Sequence, residues 1–398
     1  MTLDRAALKR RAPGILVPAL ITFSMGQTAL FAIAGPVARA IGLSEFAIGI
    51  IISSAAVVFV IGSPVWGRIS DAWGRKRTIV FGLGSYAISS ACFALTMEAG
   101  LAGWLTAGAA FGALLALRLT YAALGAGIQP AGVGYMADVS TREERPAAVA
   151  TIGAAFGIGS ILGPALAAAL AGFGVLTPLY AIAALGLVAT VYVALTLKEP
   201  PRHAAAATGG ALDMRLIAPL LVLAALSFVG VSAMQQITAF YVQDFLKVDT
   251  QAAAKFSGYC FMAMAAAMVL VQGALIPMLK PQPQALLVAG FPTVLAGLGL
   301  FAFAQDFWHL VVATALTGAG YGAVQAGLMA AASLSTTEDA QGRAAGAMQG
   351  AMSVGFVVGP AAGTALYQAD PRYTVVLAAA AALAALVLTL ARPRRRAA

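Results

Sequence analysis

Apolar runs of about 20 residues, each long enough to cross a lipid bilayer as a helix, alternate along the chain with short polar segments. Twelve are read, at about 13–37, 46–66, 78–98, 104–136, 148–171, 176–197, 216–241, 256–276, 285–304, 310–332, 344–367 and 373–390. The polar punctuation is uneven. Gly67 to Arg77 (GRISDAWGRKR) is a charged, glycine-bracketed turn between the second and third runs. Lys198 to Arg215 (KEPPRHAAAATGGALDMR) is polar and rich in Pro, Gly and Ala, too short and featureless for a folded domain. The pattern predicts an all-α membrane protein of two six-helix bundles, residues 1–197 and 216–398, joined by a linker at 198–215. An even number of spans puts both termini on one side.

Charge orients this arrangement. Of 24 Lys and Arg, 19 fall in the two tails, the linker and the turns on the same side as 67–77. Four (Arg39, Lys247, Lys255, Arg372) fall in the opposite turns, and Arg118 is left inside an apolar run. Basic residues collect in cytoplasmic loops, so both termini are expected in the cytoplasm. Composition agrees: 61% of the 398 residues are hydrophobic and 10% charged, against about a quarter charged in soluble domains. The net charge of +9 is therefore read as a topology signal facing anionic lipid, not as a nucleic-acid surface. Met1 to Pro13 is polar and basic and is followed by a long run without a clear cleavage site, so no cleavable leader is expected.

An internal repeat runs at an offset of 196 residues. GAAFGIGSILGP (153–164) matches QGAMSVGFVVGP (349–360), pairing Gly159 with Gly355, Gly163 with Gly359 and Pro164 with Pro360; Gln129 pairs with Gln325 at the same offset. Parallel repeats of this kind suit carriers whose halves rock against each other. The small residues at i and i+4 predict close packing against a helix of the other half; a generic small-residue contact is the alternative.

Arg118 stands out among the candidate functional residues. A buried arginine in lipid is costly and needs partners or water; Gln27, Gln129 and Tyr121 are the candidate neighbours. Two readings are open for it: a structural tie to helix carbonyls, or a charge that couples substrate or proton movement. Asp71, four residues before Arg75, can accept from that arginine or from N–H groups at a nearby helix start. No Asp or Glu falls in the central third of any helix, so no proton carrier is assigned. His203 and His309 sit in the linker and a turn, and no cluster of ligating or nucleophilic residues occurs. No cofactor or metal and no enzyme activity are expected.

On these residues the chain resembles the major facilitator superfamily, and within it the twelve-helix bacterial drug:proton antiporters, tetracycline exporters among them. Gly67-Arg68-Ile69-Ser70-Asp71-Ala72-Trp73-Gly74-Arg75-Lys76-Arg77 is similar to the family's loop 2–3 signature. Arg118 with Gly125 and Gly127 resembles its helix 4 motif, and Gly159 to Pro164 its exporter helix 5 signature, with Ala167-Ala168 where a glycine pair usually follows. The resemblance implies a gate in which Gly67, Asp71, Gly74, Arg75, Lys76 and Arg77, with Asp138 as a third member, close the cytoplasmic side. It also implies a central cavity lined by helices 1, 4, 7 and 10. Those helices supply Gln27, Thr28, Tyr121, Gln129, Gln235, Gln236, Tyr241 and Gln325, a neutral, amide-rich lining suited to a lipophilic or weakly polar molecule. The expected function is a proton-coupled, monomeric multidrug-type efflux antiporter. The alternatives are a proton-coupled importer of a small organic acid or sugar, with Arg118 as an anion anchor, and a non-transporting receptor on the same fold.

Overall fold

The structure, a computed structural model, describes residues 2–141, 144–200, 213–337 and 340–391. Residues 201–212, which include most of the expected linker and His203, and the basic tail 392–398 lie outside the described residues. The described chain is helical. Its elements are α1 (Thr2–Ala40), α2 (Glu45–Trp73), α3 (Arg75–Leu101), α4 (Ala107–Gly125), α5 (Ile128–Val139), α6 (Arg145–Leu170), α7 (Thr177–Thr196), α8 (Met214–Leu246), α9 (Thr250–Leu270), α10 (Ile276–Leu279), α11 (Pro283–Ala302), α12 (Phe307–Leu334), α13 (Gln341–Ala369) and α14 (Pro371–Ala391). Among the described residues these form twelve spans long and apolar enough to cross a membrane, from Leu8–Ala40 to Pro371–Ala391.

Three boundaries differ from expectation for identifiable reasons. The basic N-terminal segment is already helical, because its Ala, Leu, Lys and Arg are strong helix formers. The run 67–73, expected as a loop, is the last two turns of α2, so Asp71 lies inside the helix and the reversal is left to Gly74 alone. Gly74 has φ 117° and ψ 144°, a conformation glycine adopts without a β-carbon clash. The fourth span is broken at Ala126–Gly127. Pro130 has no N–H for the Ala126 carbonyl and crowds it. The indole of Trp66 donates 2.6 Å to the carbonyl of Ala123, one of those the break leaves without a helical partner.

The chain divides into two compact units, residues 1–205 with 248–258, and 206–247 with 259–398. In the first, α6 lies along α1, α7 along α3, and α4 against α2 and α3. In the second, α13 lies along α8, α12 along α11, and α14 against both α8 and α11. Large apolar side chains are exposed on the outer faces, Ile61, Ile88, Val188 and Val387 among them, as lipid-facing positions require. Trp104 and Trp308 project at helix starts or turns, 81% and 70% exposed, where indoles favour the membrane interface.

The glycine repeat sets the α1–α6 and α8–α13 pairs. A β-carbon at Gly159 would lie 2.5 Å from Ser24 Cβ and 2.6 Å from the Ile21 carbonyl, and one at Gly163 would collide with the Met25 carbonyl and Thr28 Oγ1. Gly355 and Gly359 press in the same way on Phe228 and on Val229 and Ser232 of α8. The expected partner is thus corrected: these glycines face a helix of their own unit, because the backbones of α1 and α8 come close enough to fill the space a side chain would need. The carbonyl of Pro164 and Ala168 meet Gly258 instead, in the 248–258 segment that clusters with the first unit.

Candidate functional site

At the charged turn, Arg75 is a hub. Its guanidinium donates to Asp138 Oδ2 (3.1 Å), to Ser70 Oγ (2.6 Å) and to Asp71. Asp138 arrives from the last turn of α5, and Gly134 on the same helix makes the approach possible: a β-carbon there would lie 2.5 Å from Arg75 Cζ. Arg75 and Asp138 are each 17% exposed and Asp71 53%, so the Arg75–Asp138 bond is the better shielded arm. Lys76 and Arg77 follow in the first turn of α3; Arg77 is exposed. Gly67 sits back on α2, where its carbonyl accepts from Ser70 Oγ at 2.7 Å and an added β-carbon would meet Pro130 at ordinary contact distance.

The free N–H groups at the start of α3 are taken by Glu199, not by Asp71. The Glu199 carboxylate accepts from the backbone of Arg75 and of Lys76, the latter at 3.2 Å. A carboxylate suits the positive end of a 27-residue helix. Glu199 reaches it because Tyr135 Oη donates 2.7 Å to the Lys198 carbonyl and holds the chain beneath α5. The sequence offers no local signal for this, because Glu199 reads there as the first acid of a solvated linker. Nearby, Lys9 pairs with Glu144 and joins α1 to the start of α6. The hydrogen bond from Lys9, with that from the Thr141 backbone, holds the Glu144 carboxyl below its usual range.

The second constellation lies deep in the first unit. Arg118 Nη2 donates 3.0 Å to Gln27 Oε1, Gln27 donates its amide to Tyr121 Oη, and the guanidinium lies over the Tyr121 ring, 4.7 Å from its centroid. Phe23 and Tyr86 complete the wall: Tyr86 is 5.1 Å from Phe23 and 5.7 Å from Tyr121, centroid to centroid. One polar atom here, Arg118 Nε, is buried without a partner; the Tyr86 hydroxyl has Ser90 as its side-chain partner. The Tyr86 hydroxyl occupies the space a β-carbon on Gly26 would need. Sequence reasoning selected Gln27, Tyr121 and Arg118 but missed Tyr86, whose only trace in the sequence is the glycine facing it from α1.

The remaining expected lining residues are dispersed. Thr28 Oγ1 bonds to the Ser24, Met25 and Gly159 carbonyls, at 3.2 to 3.5 Å, so it serves the α1–α6 contact. Gln129 opens α5 beyond the helix break, and among the described residues no hydrogen bond joins it to Arg118. In the second unit Tyr241 meets Phe301 at 4.5 Å with its ring tilted by 42°, and stacks on Phe245 at 5.9 Å. Gln325 accepts from Gln272 at 3.1 Å; Gln272 lies in a wide π turn, Val271–Leu275, and also donates to the Gly322 carbonyl. Gln235 and Gln236 each bury an unpartnered Oε1. A cleft lined by Leu8, Arg11, Ile15, Tyr135 and Leu197 opens at the charged-turn end, away from Arg118. Among the described residues no group of His, Cys, Asp and Glu is placed to hold a metal.

Comparison with known proteins places this arrangement. The family model described as Major Facilitator Superfamily matches residues 16–296 and 283–398. Multidrug resistance protein 2 of Bacillus subtilis is 31% identical over 157 residues, 39% of this chain and 36% of that protein. The chain thus spans little more than a third of that relative's length. Quinolone resistance protein NorA of Staphylococcus aureus is 23% identical over 376 residues, 90% of each chain. Among solved structures, the nucleoside transporter NupG (D323A mutant) superposes with a TM-score of 0.73 at 14% identity, over 96% of this chain and 99% of that one; this likeness speaks to the fold alone.

Proposed function

Given that the chain belongs to the Major Facilitator Superfamily, we propose that this secondary-active small-molecule transporter exports a lipophilic or weakly polar organic molecule in exchange for protons. It is an integral membrane protein of the bacterial inner membrane type and not an enzyme. In this reading the basic turns and both termini face the cytoplasm, and the bundles 1–197 and 216–398, joined by the 198–215 linker, move in alternating access.

The observation that carries the cycle is the Arg75 clasp. Arg75 ties the start of α3 to α5 through Asp138 and to α2 through Ser70 and Asp71, and the Glu199 cap ties it to the segment that follows α7. Partly exposed ion pairs contribute about 0–1 kcal/mol each. The clasp can therefore break without unfolding a helix, yet it biases a two-state carrier by the few kcal/mol that matter. Asp71, Gly74, Arg75 and Asp138 are its working parts. Gly159, Gly163 and Pro164, with Gly355, Gly359 and Pro360, keep α1–α6 and α8–α13 as rigid pairs through the movement. The outward direction is supported by the Gly159–Pro164 run and by the drug-resistance names of the relatives. Arg118, Gln27 and Tyr121 form the substrate and coupling centre of the first bundle; Gln235, Gln236 and Gln325 are its counterparts in the second.

The test uses purified protein in sealed liposomes containing a pH-sensitive dye, under an imposed membrane potential. Lipophilic cations, neutral drugs and organic acids are added in turn, with Arg118→Ala beside the wild type. Substrate-dependent proton flux against the substrate, lost in the variant, is the expected result. Substrate equilibration without proton movement overturns the coupling. A second reading, import of a small organic acid, is favoured by one feature: no acid in the central third of any span accompanies Arg118. It predicts proton and substrate moving in the same direction.

A further inference from the structure

The cleft at the charged-turn end of the first unit has two faces of opposite chemistry. Leu8, Arg11 and Ile15 line it from α1, three and four residues apart, and so share one side of the helix. Leu8 and Ile15, with Leu197 from the chain just past α7, are buried and form an apolar floor. Arg11 and Lys198 are exposed at the rim. No Asp or Glu lines the cleft. Glu199 follows Lys198 directly, but its carboxylate is taken up by the start of α3. Glu144 is held by Lys9. Among the described residues no carboxylate pairs with Arg11 or Lys198. The cleft also lies where two spans end: Leu8 opens the first and Thr196 closes the sixth. Lipid headgroups occupy that level of a bilayer.

We propose that this cleft holds the phosphate of an anionic phospholipid and that the bound lipid braces the cap of α3. The Arg11 guanidinium and the Lys198 ammonium donate to the phosphate oxygens, while the apolar floor takes the glycerol and the first methylenes of the acyl chains. Basic pockets between membrane helices suit anionic headgroups, and each cation near the surface strengthens binding about fivefold. A zwitterionic headgroup carries its own cation and gains less; a free phosphate leaves the apolar floor uncovered. One residue joins the site to the Arg75 clasp. Tyr135, which also lines the cleft, donates 2.7 Å to the Lys198 carbonyl, and the next residue, Glu199, caps α3. A headgroup that fixes the Lys198 side chain therefore holds Glu199 in place. This site goes beyond the transport reading and stands whichever way substrate and protons move.

The full-length protein in detergent micelles is titrated with dioleoyl phosphatidylglycerol and, separately, with dioleoyl phosphatidylcholine. Bound lipid is counted by native mass spectrometry, and stability is followed by thermal melting. Wild type is expected to retain phosphatidylglycerol about tenfold more tightly than phosphatidylcholine. The double variant Arg11→Gln with Lys198→Gln should lose that preference. Arg215→Gln with Lys280→Gln removes the same charge from exposed positions outside the cleft and should keep it. Equal retention of the two lipids by the wild type overturns the site without relying on any variant's folding. Equal loss in both double variants also overturns it, by marking a general effect of net charge. Inorganic phosphate that raises the melting temperature as much as phosphatidylglycerol does overturns the lipid assignment in favour of a soluble anion. The brace has its own readout. In nanodiscs, amide hydrogen exchange in the first turn of α3 should slow when phosphatidylglycerol replaces phosphatidylcholine around the wild type, and should not change in the Arg11→Gln, Lys198→Gln protein. Unchanged exchange in a wild type that binds the lipid overturns the link to the cap.

Discussion

At the scale of single residues, Gly74 and Glu199 depend on each other. Gly74 turns the chain at φ 117°, and a β-carbon there would sit 2.9–3.1 Å from the Glu199 carboxylate. Gly74→Ala therefore introduces backbone strain of about 1–3 kcal/mol and displaces the cap of α3. Glu199→Ala removes only the cap, a loss of about 0.5–2 kcal/mol by analogy with helix N-caps. Thermal melts in micelles should show Gly74→Ala as the more damaging, and Gly74→Ala added to Glu199→Ala should cost less than it does alone. Full additivity of the two would show that the carboxylate and the turn are independent. Neither partner is readable in isolation. The sequence shows a glycine in a charged run and an acid in a linker 125 positions later, and only the fold brings them into contact.

Between elements, the repeated glycine faces decide how closely two pairs of helices approach. Gly163→Leu and Gly359→Leu must push α6 from α1 and α13 from α8, because each glycine already meets backbone atoms of its partner. Overpacking of this kind costs about 1–3 kcal/mol. Gly157 lies on α6 with open space where its β-carbon would be. Gly157→Leu is therefore the control and should leave the melting temperature of the purified protein unchanged; an equal loss at Gly157 and Gly163 would remove the packing argument. The matched Gly-Pro runs were legible as a repeat, but their partner was not. The spans are apolar around much of their circumference, as membrane helices are, so no polar stripe marks which side turns inward.

For the molecule as a whole, the charge distribution makes a topological prediction. In a chain with Cys92 and Cys260 replaced by alanine, single cysteines at Gly103 and Lys247 should react with a membrane-impermeant maleimide in intact cells. A cysteine at Lys280 should react only after the membrane is permeabilised. Labelling of Lys280→Cys in intact cells would reverse the orientation and with it the cytoplasmic placing of the Arg75 clasp. The positive-inside bias acts during insertion, through whole loops and not through contacts, so this property can be argued from composition alone.

The sequence by itself determined the span count, the repeat and the identity of the exceptional residues, Arg75 in its turn and Arg118 in its helix. Hydropathy and charge act on local stretches as they enter lipid, and a buried arginine is conspicuous wherever it sits. Tertiary structure alone decided who meets whom. Asp71 pairs with Arg75 while Glu199 takes the helix start, Gly159 and Gly163 close on α1 within their own unit, and Tyr86 joins Gln27 and Tyr121 around Arg118 while Gln129 does not. Those outcomes depend on the rotation of each helix about its axis and on a break at Ala126–Gly127 that sets Gln129 on a separate helical segment. Both are set by close packing among chain segments far apart in sequence, which no local pattern encodes.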